Sequence, residues 1–182
     1  MPPRAPGDPA LPWRTAIIVM GVSGAGKSTI ALRLAQRLNR TLLEGDTLHP
    51  PQNVEKMKHG IPLADEDRLP WLLAIAAKID AARKARKPIV VTCSALKRAY
   101  RATLAAGDGD VGFVYLKGAK DLIARRLASR VGHFMPPQLL DSQFAALQEP
   151  EADEPSIIVA IDPAPDAIVE SIVARFVMQE RL

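Results

Sequence analysis

Residues 21–28 carry the residue types and spacing of a phosphate-binding loop. The segment Gly21-Val-Ser-Gly-Ala-Gly-Lys-Ser28 matches the pattern G-x-x-x-x-G-K-[ST] and follows an apolar run typical of a buried strand. Glycines let successive backbone N–H groups converge on phosphate oxygens, and the helix expected next adds its positive end. A turn needed only for tight packing is the alternative, but the strand–loop–helix context favours nucleotide binding. The residues predicted to bind the nucleotide are Gly21, Val22, Ser23, Gly24, Ala25, Gly26, Lys27, Ser28 and Thr29.

Four side chains in and after this loop could carry phosphoryl-transfer chemistry. Lys27 is expected to reach the β- and γ-phosphates of ATP, and Ser28 to offer its hydroxyl to Mg²⁺. Glu44 and Asp46 follow the second predicted strand and, in an extended chain, would point the same way. Glu44 is therefore a candidate Mg²⁺ ligand, and Asp46 a candidate general base for an acceptor hydroxyl. A solvated acidic turn is the plainer interpretation of the same two carboxylates.

Further along the chain, polar residues stand where they could bind an acidic acceptor. Arg68 follows three acidic residues, so it either forms surface ion pairs or clamps a substrate carboxylate in a bidentate manner. Ser94 comes directly after the third predicted strand, at the edge where ligands of open α/β sheets bind. Lys97 and Arg101 are spaced i, i+4 and share one helical face, which could face either the substrate or solvent.

A segment between two helices has the composition of a lid. Arg126 and Arg130 lie at the end of a predicted helix and lead into residues 131–137, which contain Gly and Pro. The transferred phosphoryl group needs positive charge, so both arginines are candidate catalytic residues of a lid over residues 126–145. Stabilisation of the helix C-terminus is the ordinary reason for such cations. His133 stands alone, which favours a lid or substrate-contacting residue over a base.

The elements that must position these residues alternate between strands and helices. Repeated β–α units predict one parallel sheet with helices on both faces, a three-layer α/β fold. Residues 14–182 are expected to form a single domain, after a flexible proline-rich tail at 1–13. Strands are predicted at 15–20, 41–43, 89–93, 113–116 and 157–161, and helices at 27–38, 70–86, 96–106, 119–130 and 165–180. The helix at 70–86 is expected to begin at Pro70.

Composition limits the classes of partner. The net charge of the 182-residue chain is +4, but its basic residues are dispersed and only 4% of residues are aromatic. Nucleotide phosphates and an anionic metabolite therefore explain the charge better than nucleic acid does. The chain has neither a signal-peptide pattern nor an apolar run long enough to span a bilayer. With one cysteine, Cys93, a cytoplasmic protein without membrane attachment is expected.

Beyond the phosphate-binding loop, eight further segments carry a recognisable pattern. They are Gly45-Asp-Thr-Leu-His-Pro50, Asn53-Val-Glu-Lys-Met57, Gly60-Ile-Pro-Leu-Ala-Asp-Glu-Asp-Arg-Leu-Pro-Trp-Leu72, Cys93-Ser-Ala-Leu-Lys97, Tyr115-Leu-Lys-Gly118, Gly132-His-Phe-Met135, Ser142-Gln-Phe144 and Leu147-Gln-Glu-Pro150. With these segments the sequence resembles the gluconokinases of the shikimate-kinase-like P-loop group. The resemblance covers about residues 15–180, and the stretch from Gly45 to Leu72 is specific to that family.

The resemblance implies a nucleoside-kinase-like P-loop NTPase core with the parallel strand order 2-3-1-4-5. It implies transfer of the γ-phosphate of ATP, with Mg²⁺, to the 6-hydroxyl of D-gluconate, and homodimers are common in the family. The sequence departs from the family pattern in two places. Glu44 stands where members often carry Asp, and the proline-rich N-terminal segment is unlike the compact N-terminus of the family.

The resemblance also implies roles for particular residues. Asp46 would hold and activate the hydroxyl, Arg68 and Arg101 would bind the gluconate end, and Arg126 and Arg130 would act from the lid. His49 and Lys56 would line the acceptor pocket. The residues expected around the substrate are Asp46, His49, Lys56, Arg68, Ser94, Lys97, Arg101 and His133.

Three other functions fit parts of the sequence. One is a kinase of another small acceptor, such as shikimate or a nucleoside monophosphate. Another is a GTPase-like or regulatory nucleotide-binding module, although the chain has no Asn-Lys-x-Asp motif for reading guanine. The last is a nucleic-acid-binding protein, which would show salt-dependent retention on nucleic acid.

Overall fold

Five strands of apolar residues form one all-parallel sheet in the order β2-β3-β1-β4-β5. The structure is a computed structural model, and it describes residues 13–106, 109–129 and 137–179. The strand order and the flanking helices confirm the expected fold class. The elements are β1 (Ala16–Met20), α1 (Lys27–Arg37), β2 (Thr41–Glu44), α2 (Pro51–Lys58), α3 (Asp65–Ala85), β3 (Ile89–Thr92), α4 (Arg98–Ala105), β4 (Val111–Lys117), α5 (Lys120–Ala128), α6 (Pro137–Ala146), β5 (Ser156–Ala160) and α7 (Pro165–Gln179).

The central strand β1 is buried on both faces and separates two apolar cores. Ile17 and Val19 point into the core that α1 and α7 cover, whereas Ala16, Ile18 and Met20 point into the core beneath α3 and α4. Successive strand residues face opposite sides of a sheet, so a continuous apolar run is what a doubly covered strand requires. The helices therefore lie on both faces, and the carboxyl ends of the strands remain open for a site.

The helix α3 begins earlier than the sequence analysis predicted. It starts at Asp65, so the prediction that Pro70 opens it at the first position was wrong. The side chain of Asp67 accepts a hydrogen bond from the backbone N–H of Ala64 at 2.9 Å, which caps the helix start. Pro70 lies in the second turn and removes only one backbone donor there. Three acidic residues in the first turn also favour this start, because of the helix dipole.

Three short elements were not predicted from the sequence. A 3₁₀ turn covers Gly45–Leu48, α2 follows it, and α6 leads toward β5. Because Asp46 lies in the turn and not in a strand, the prediction that it points the same way as Glu44 does not hold. The turn is tight, since a Cβ on Gly45 would lie 2.1 Å from the carbonyl oxygen of Thr92.

Trp13 belongs to the domain, although the sequence analysis assigned it to the tail. Its side chain is 3% exposed and packs edge-to-face on Phe176, with ring centroids 5.3 Å apart. Gly112 of β4 leaves room for the indole, because a Cβ there would lie 1.7 Å from it. Residues 1–12 lie outside the described residues. Among the described residues, no helix combines the length and the apolar character that crossing a bilayer requires.

We expect Trp13→Ala to lower the free energy of unfolding by roughly 3–5 kcal/mol, because it empties a buried site between β4 and α7. Leu32→Ala is the matched control, since Leu32 is an exposed apolar residue on α1 and its truncation should change stability little. Urea unfolding followed by circular dichroism measures both. Equal effects of the two changes would contradict the placement of Trp13 in the core.

Candidate active site

The loop after β1 has the backbone shape of a phosphate cradle. Gly24 and Gly26 have φ values of 82° and 96°, which favour glycine, and α1 begins immediately afterwards at Lys27. A Cβ on Gly24 would lie 2.6 Å from Leu127 of α5, so the loop also packs closely against that helix. The loop thus directs backbone N–H groups and a helix N-terminus toward the same open space.

Several polar groups of the loop already have partners within the protein. The Nζ atom of Lys27 donates to the carbonyl of Val22 at 3.0 Å, which folds this side chain back over the loop. The backbone N–H of Ser23 donates to Oε1 of Gln143 in α6 at 2.7 Å. The N–H of Gly21 donates to the carbonyl of Ser94 at 3.3 Å, so Ser94 supports the loop through its backbone.

Glu44 and Ser28 meet beside the loop. The hydroxyl of Ser28 donates to Oε2 of Glu44 at 3.1 Å, and the hydroxyl of Thr92 donates to the same oxygen at 2.6 Å. A carboxylate and a hydroxyl are hard oxygen ligands of the kind Mg²⁺ prefers, and Mg²⁺ takes its other ligands from phosphates and water. The pair therefore fits the predicted metal site. No group of three or more His, Cys, Asp or Glu residues that could hold a metal occurs in the described part of the chain.

Asp46 and His49 lie at the two ends of the 3₁₀ turn. The carboxylate of Asp46 is 79% exposed, whereas the imidazole of His49 is 5% exposed, and Nε2 of His49 lies 4.0 Å from Oδ1 of Asp46. The imidazole stacks on Trp71 with ring centroids 4.1 Å apart, and Nε1 of Trp71 donates to the carbonyl of Gly45 at 2.8 Å. Burial lowers the pKa of His49, Asp46 partly offsets this, and Arg68 lowers the pKa further.

The first turn of α3 brings together three of the predicted acceptor ligands, Arg68, Lys97 and Lys56. Arg68 is 13% exposed and donates to the hydroxyl of Tyr100 at 3.3 Å, with Asp65 at 4.0 Å. Lys97 binds both carboxylate oxygens of Asp65 at 2.8 Å. Hydrogen bonds from Lys97 and Tyr100 hold the pKa of Asp65 below its usual value. The cationic groups are therefore held in position by carboxylates of the protein.

Lys56 is held by the same turn. It binds the carboxylate of Asp67 at 2.7 and 2.8 Å and so ties α2 to the start of α3. This hydrogen bond from Lys56 is the main cause of the lowered pKa of Asp67.

The phosphate loop and Asp46 lie at the same edge of the sheet. The loop follows the carboxyl end of β1 and Asp46 follows that of β2, and both strands run parallel to β3. Cys93, just after β3, is fully buried. Burial raises the pKa of its thiol to about 12, so it is a packing residue and not a nucleophile.

Comparison with known proteins identifies the family. A model described as an AAA domain matches residues 17–150. The gluconokinase of Gluconobacter oxydans (strain 621H) is 48% identical over 160 residues, which cover 88% of this chain and 90% of that protein. The thermoresistant gluconokinase of Escherichia coli (strain K12) is 46% identical over 155 residues, covering 85% and 89%. The chain belongs to the gluconokinase family.

The solved structures agree with this assignment. The crystal structure of a gluconokinase from Sinorhizobium meliloti 1021 superposes with a TM-score of 0.83 at 40% identity, covering 93% of this chain and 97% of that one. A shikimate kinase from Aquifex aeolicus vf5 has a TM-score of 0.53 at 15% identity, which shows a shared fold only. The P-loop kinase core and the family expected from the sequence are thus confirmed.

Arg101 is held inside the protein. Its guanidinium is 1% exposed and binds both oxygens of Glu154, at 2.6 and 2.8 Å. It also donates to the carbonyls of Ala95 and Gln148, at 3.1 and 2.8 Å. Because these partners occupy the guanidinium inside the protein, Arg101 offers gluconate almost no exposed surface in this structure, and its role in binding gluconate stays a prediction. Arg101 ties α4 to the loop before β5.

Arg126 lines a pocket on the outer side of the phosphate loop. One of its guanidinium nitrogens donates to the carbonyl of Ile161 at 2.7 Å, and the pocket has a volume of about 280 Å³. The structure places Arg126 within α5, and the expected lid at 126–145 also includes most of α6. The pocket is lined by Gly24, Ala25, Gly26, Thr29, Ile30, Arg126, Ser129, Ile161, Pro163, Pro165 and Ile168.

Some predicted residues lie outside the described part of the chain, and some observed ones were missed. Arg130 and His133 fall among residues 130–136, so their roles stay predictions. The site residues that the sequence analysis missed are Asn53, Asp65, Asp67, Trp71, Thr92, Tyr100 and Gln143. A polar residue ending an otherwise apolar strand was the available signal for Thr92, whereas the others come together only through tertiary packing.

We expect Glu154→Gln to destabilise the protein strongly at neutral pH, by about 3–5 kcal/mol, because it leaves the Arg101 charge buried without a counterion. The hydrogen bond from Arg101 holds the pKa of Glu154 below its usual value. The stabilisation is therefore fully present above pH 4.5, the ordinary value, and is lost as the pH falls through the folded-state pKa.

Urea unfolding of the wild type and Glu154→Gln across the acidic range tests this expectation. Glu151→Gln is the control, because Glu151 pairs with Arg98 at the exposed surface. The stability difference between wild type and Glu154→Gln should shrink as the pH falls. A difference that stays constant with pH would contradict an ionic role for Glu154.

Proposed function

We propose that this protein transfers the γ-phosphoryl group of ATP to the 6-hydroxyl of D-gluconate, giving 6-phospho-D-gluconate and ADP. The observation that carries the proposal is that Asp46 and the phosphate loop with Lys27 follow the carboxyl ends of two parallel strands of one sheet, in a chain of the gluconokinase family. Asp46 is the exposed carboxylate beside the phosphate loop, whereas Glu44 is held by Ser28 and Thr92. One carboxylate is thus available to the acceptor and the other to a metal ion.

The phosphate loop supplies binding and charge. Backbone N–H groups of the loop and the N-terminus of α1 hold the phosphates, and Lys27 leaves Val22 to contact the β- and γ-phosphates. Ser28 and Glu44 would hold Mg²⁺, which neutralises charge on the phosphate oxygens when bound. Most of the catalysis then comes from positioning and electrostatic stabilisation, as is general for phosphoryl transfer.

Asp46 acts on the acceptor. Its carboxylate accepts a hydrogen bond from the 6-hydroxyl and takes the proton as the new oxygen–phosphorus bond forms. The bond between the γ-phosphorus and the bridging oxygen breaks in the same displacement, and ADP leaves with the electron pair. A carboxylate that is open to solvent in the absence of substrate can rotate to meet the hydroxyl.

The cations around the first turn of α3 are suited to the acidic end of the acceptor. Arg68, Lys97 and Lys56 carry three positive charges, and Asp65 and Asp67 hold the latter two in place. A sugar acid carries one carboxylate and several hydroxyls, so it needs one cationic contact and several polar ones. Arg68 is the proposed carboxylate ligand, because its planar guanidinium can bind both oxygens.

The pocket lined by Arg126 is the proposed adenine site. It adjoins Gly24 and Thr29 of the phosphate loop and is closed on the other side by Pro163 and Pro165. Proline rings and a guanidinium plane offer flat surfaces on which a purine can stack. Pro163 lies in the loop between β5 and α7, and Pro165 is the first residue of α7.

The setting of the reaction completes the proposal. A cytoplasmic location suits an enzyme that consumes ATP and keeps its single cysteine as a buried thiol. We include a homodimer in the proposal because the resemblance implies one, and light scattering of the purified protein measures it directly.

The substrate assignment is tested with a panel of acceptors. ATP consumption with Mg²⁺ is measured with D-gluconate, shikimate, nucleoside monophosphates, glucose and no acceptor. Turnover with gluconate, and a phosphorus signal of a 6-phosphate ester in the product, is the expected result. Turnover with another acceptor alone would overturn the substrate, and ATP binding without any turnover would overturn the activity.

We expect Asp46→Asn to lower kcat for gluconate by roughly 10²–10⁴, because the amide cannot accept the hydroxyl proton. The KM for ATP should stay unchanged, since the substitution is isosteric and lies outside the phosphate loop. Asp121→Asn, in an exposed part of α5, is the control and should keep wild-type rates. Near-normal turnover by Asp46→Asn would remove Asp46 as the base.

We expect Arg126→Ala to raise the KM for ATP several-fold while leaving the KM for gluconate unchanged, because it removes one wall of the proposed adenine pocket. Arg125→Ala is the matched control, since Arg125 is the exposed neighbour on the same helix. Steady-state kinetics with each substrate varied in turn make the comparison. A larger effect on the gluconate KM would contradict the pocket assignment.

A further inference from the structure

The imidazole of His49 is fixed between two polar side chains. It is almost fully buried and stacks on Trp71 with an angle of 13° between the rings, so packing sets the ring plane. Its Nδ1 atom lies 3.5 Å from Nδ2 of Asn53, and its Nε2 atom lies 4.0 Å from Oδ1 of Asp46. The two ring nitrogens therefore face different partners, and the tautomer decides what each can do.

Asn53 has only one satisfactory amide orientation. Asn53 is 1% exposed, and its side-chain nitrogen Nδ2 donates to the backbone carbonyl of Asp67 at 2.7 Å. Turning the amide over would place two acceptor oxygens against each other at that distance. The observed orientation is kept even though Oδ1 of Asn53 is buried without a hydrogen-bond partner. The contact with Asp67 therefore dominates.

This orientation favours one tautomer of His49. The amide nitrogen Nδ2 of Asn53 is a donor and lies 3.5 Å from Nδ1 of His49, so a hydrogen bond between them requires Nδ1 to accept and to carry no proton. The proton of a neutral imidazole then lies on Nε2, which faces Asp46. Burial keeps the ring neutral by lowering its pKa, as does the nearby charge of Arg68.

We propose that His49 is a positioning residue for Asp46, donating from Nε2–H to Oδ1 in the tautomer that Asn53 imposes. This leaves Oδ2 of Asp46 for the 6-hydroxyl of the acceptor. The inference rests on the proposed role of Asp46 as base. It replaces the expectation that His49 itself lines the acceptor pocket, because a buried ring stacked on an indole offers substrate little surface.

Rotation of Asp46 completes the arrangement. Its carboxylate is exposed and lies at the start of a turn that Trp71 holds through the carbonyl of Gly45. Because the ring cannot move, the carboxylate must approach it, and an acceptor that binds Oδ2 favours that approach. Catalytic hydrogen bonds that are long in the free enzyme often shorten in the substrate complex.

The tautomer is tested directly in the free full-length protein. Nitrogen-15 NMR of histidine-labelled protein distinguishes Nε2–H from Nδ1–H by the shifts of the two ring nitrogens, with His49→Asn used for assignment. The Nε2–H form is expected, and the Nδ1–H form would overturn the proposal. This measurement does not depend on activity, so it stands apart from the test of the substrate.

Two variants test the link to catalysis. In His49→Gln the amide nitrogen can reach the place of Nε2, whereas in His49→Asn it reaches only the place of Nδ1. We expect His49→Asn to lower kcat for gluconate roughly 10–100-fold with the KM for ATP unchanged, and His49→Gln to lose several-fold less. If His49→Asn and His49→Gln both keep the wild-type melting temperature and lower kcat equally, His49 has a packing role only, and the proposal is overturned.

A double-mutant cycle identifies the group through which His49 acts. In the Asp46→Asn background, His49→Asn should lower kcat little further, because the carboxylate it positions is gone. A second loss of the same size would place His49 directly on the substrate and overturn the inference. If the wild type does not phosphorylate gluconate at all, the proposed function fails instead, and the tautomer measurement still decides the arrangement around His49.

Discussion

The buried hydroxyl of Thr92 joins the parts of the site that must stay in register. It accepts from the backbone N–H of Gly45 at 3.1 Å and donates to Glu44 at 2.6 Å. Thr92 pairs with Glu44 across β2 and β3, so one side chain fixes the end of β2 and aims its carboxylate at Ser28. The next residues form the turn that carries Asp46. Thr92 at the end of β3 thus positions both the candidate Mg²⁺ ligand Glu44 and the turn that carries the candidate base Asp46.

Much of the fold could be predicted because the apolar pattern is unambiguous at the strands. β1 is apolar throughout and doubly covered, and it was predicted to within one residue. The start of α3 was missed because Pro70 is a strong signal for a helix start, whereas the capping by Asp67 depends on where its side chain points. Trp13 was misplaced because nothing local shows that Phe176 lies beside it.

The residues of the candidate site also divide into those that a local motif predicts and those that only tertiary contacts position. The phosphate loop is a local motif whose shape follows from its own glycines, so its position after β1 could be predicted outright. Arg101 is the opposite case, because only the folded chain brings Glu154 to it and buries the pair in the interior. The prediction that Lys97 and Arg101 share one helical face was wrong, because α4 begins at Arg98 and Lys97 is its extended N-cap residue. Lys97 pairs with Asp65 near the surface, whereas Arg101 is sealed in the interior with Glu154.

The phosphate loop satisfies some of its own polar groups within the protein. Lys27 donates to the carbonyl of Val22, and the N–H of Ser23 donates to Gln143 of α6. ATP therefore exchanges protein partners for phosphate oxygens, and only the difference between the two sets of bonds contributes to its affinity. The same exchange runs backwards when ADP leaves, since the loop closes on itself instead of exposing bare donors. Because the loop satisfies some of its own donors, the net affinity that its hydrogen bonds contribute is lowered for ADP as well as for ATP.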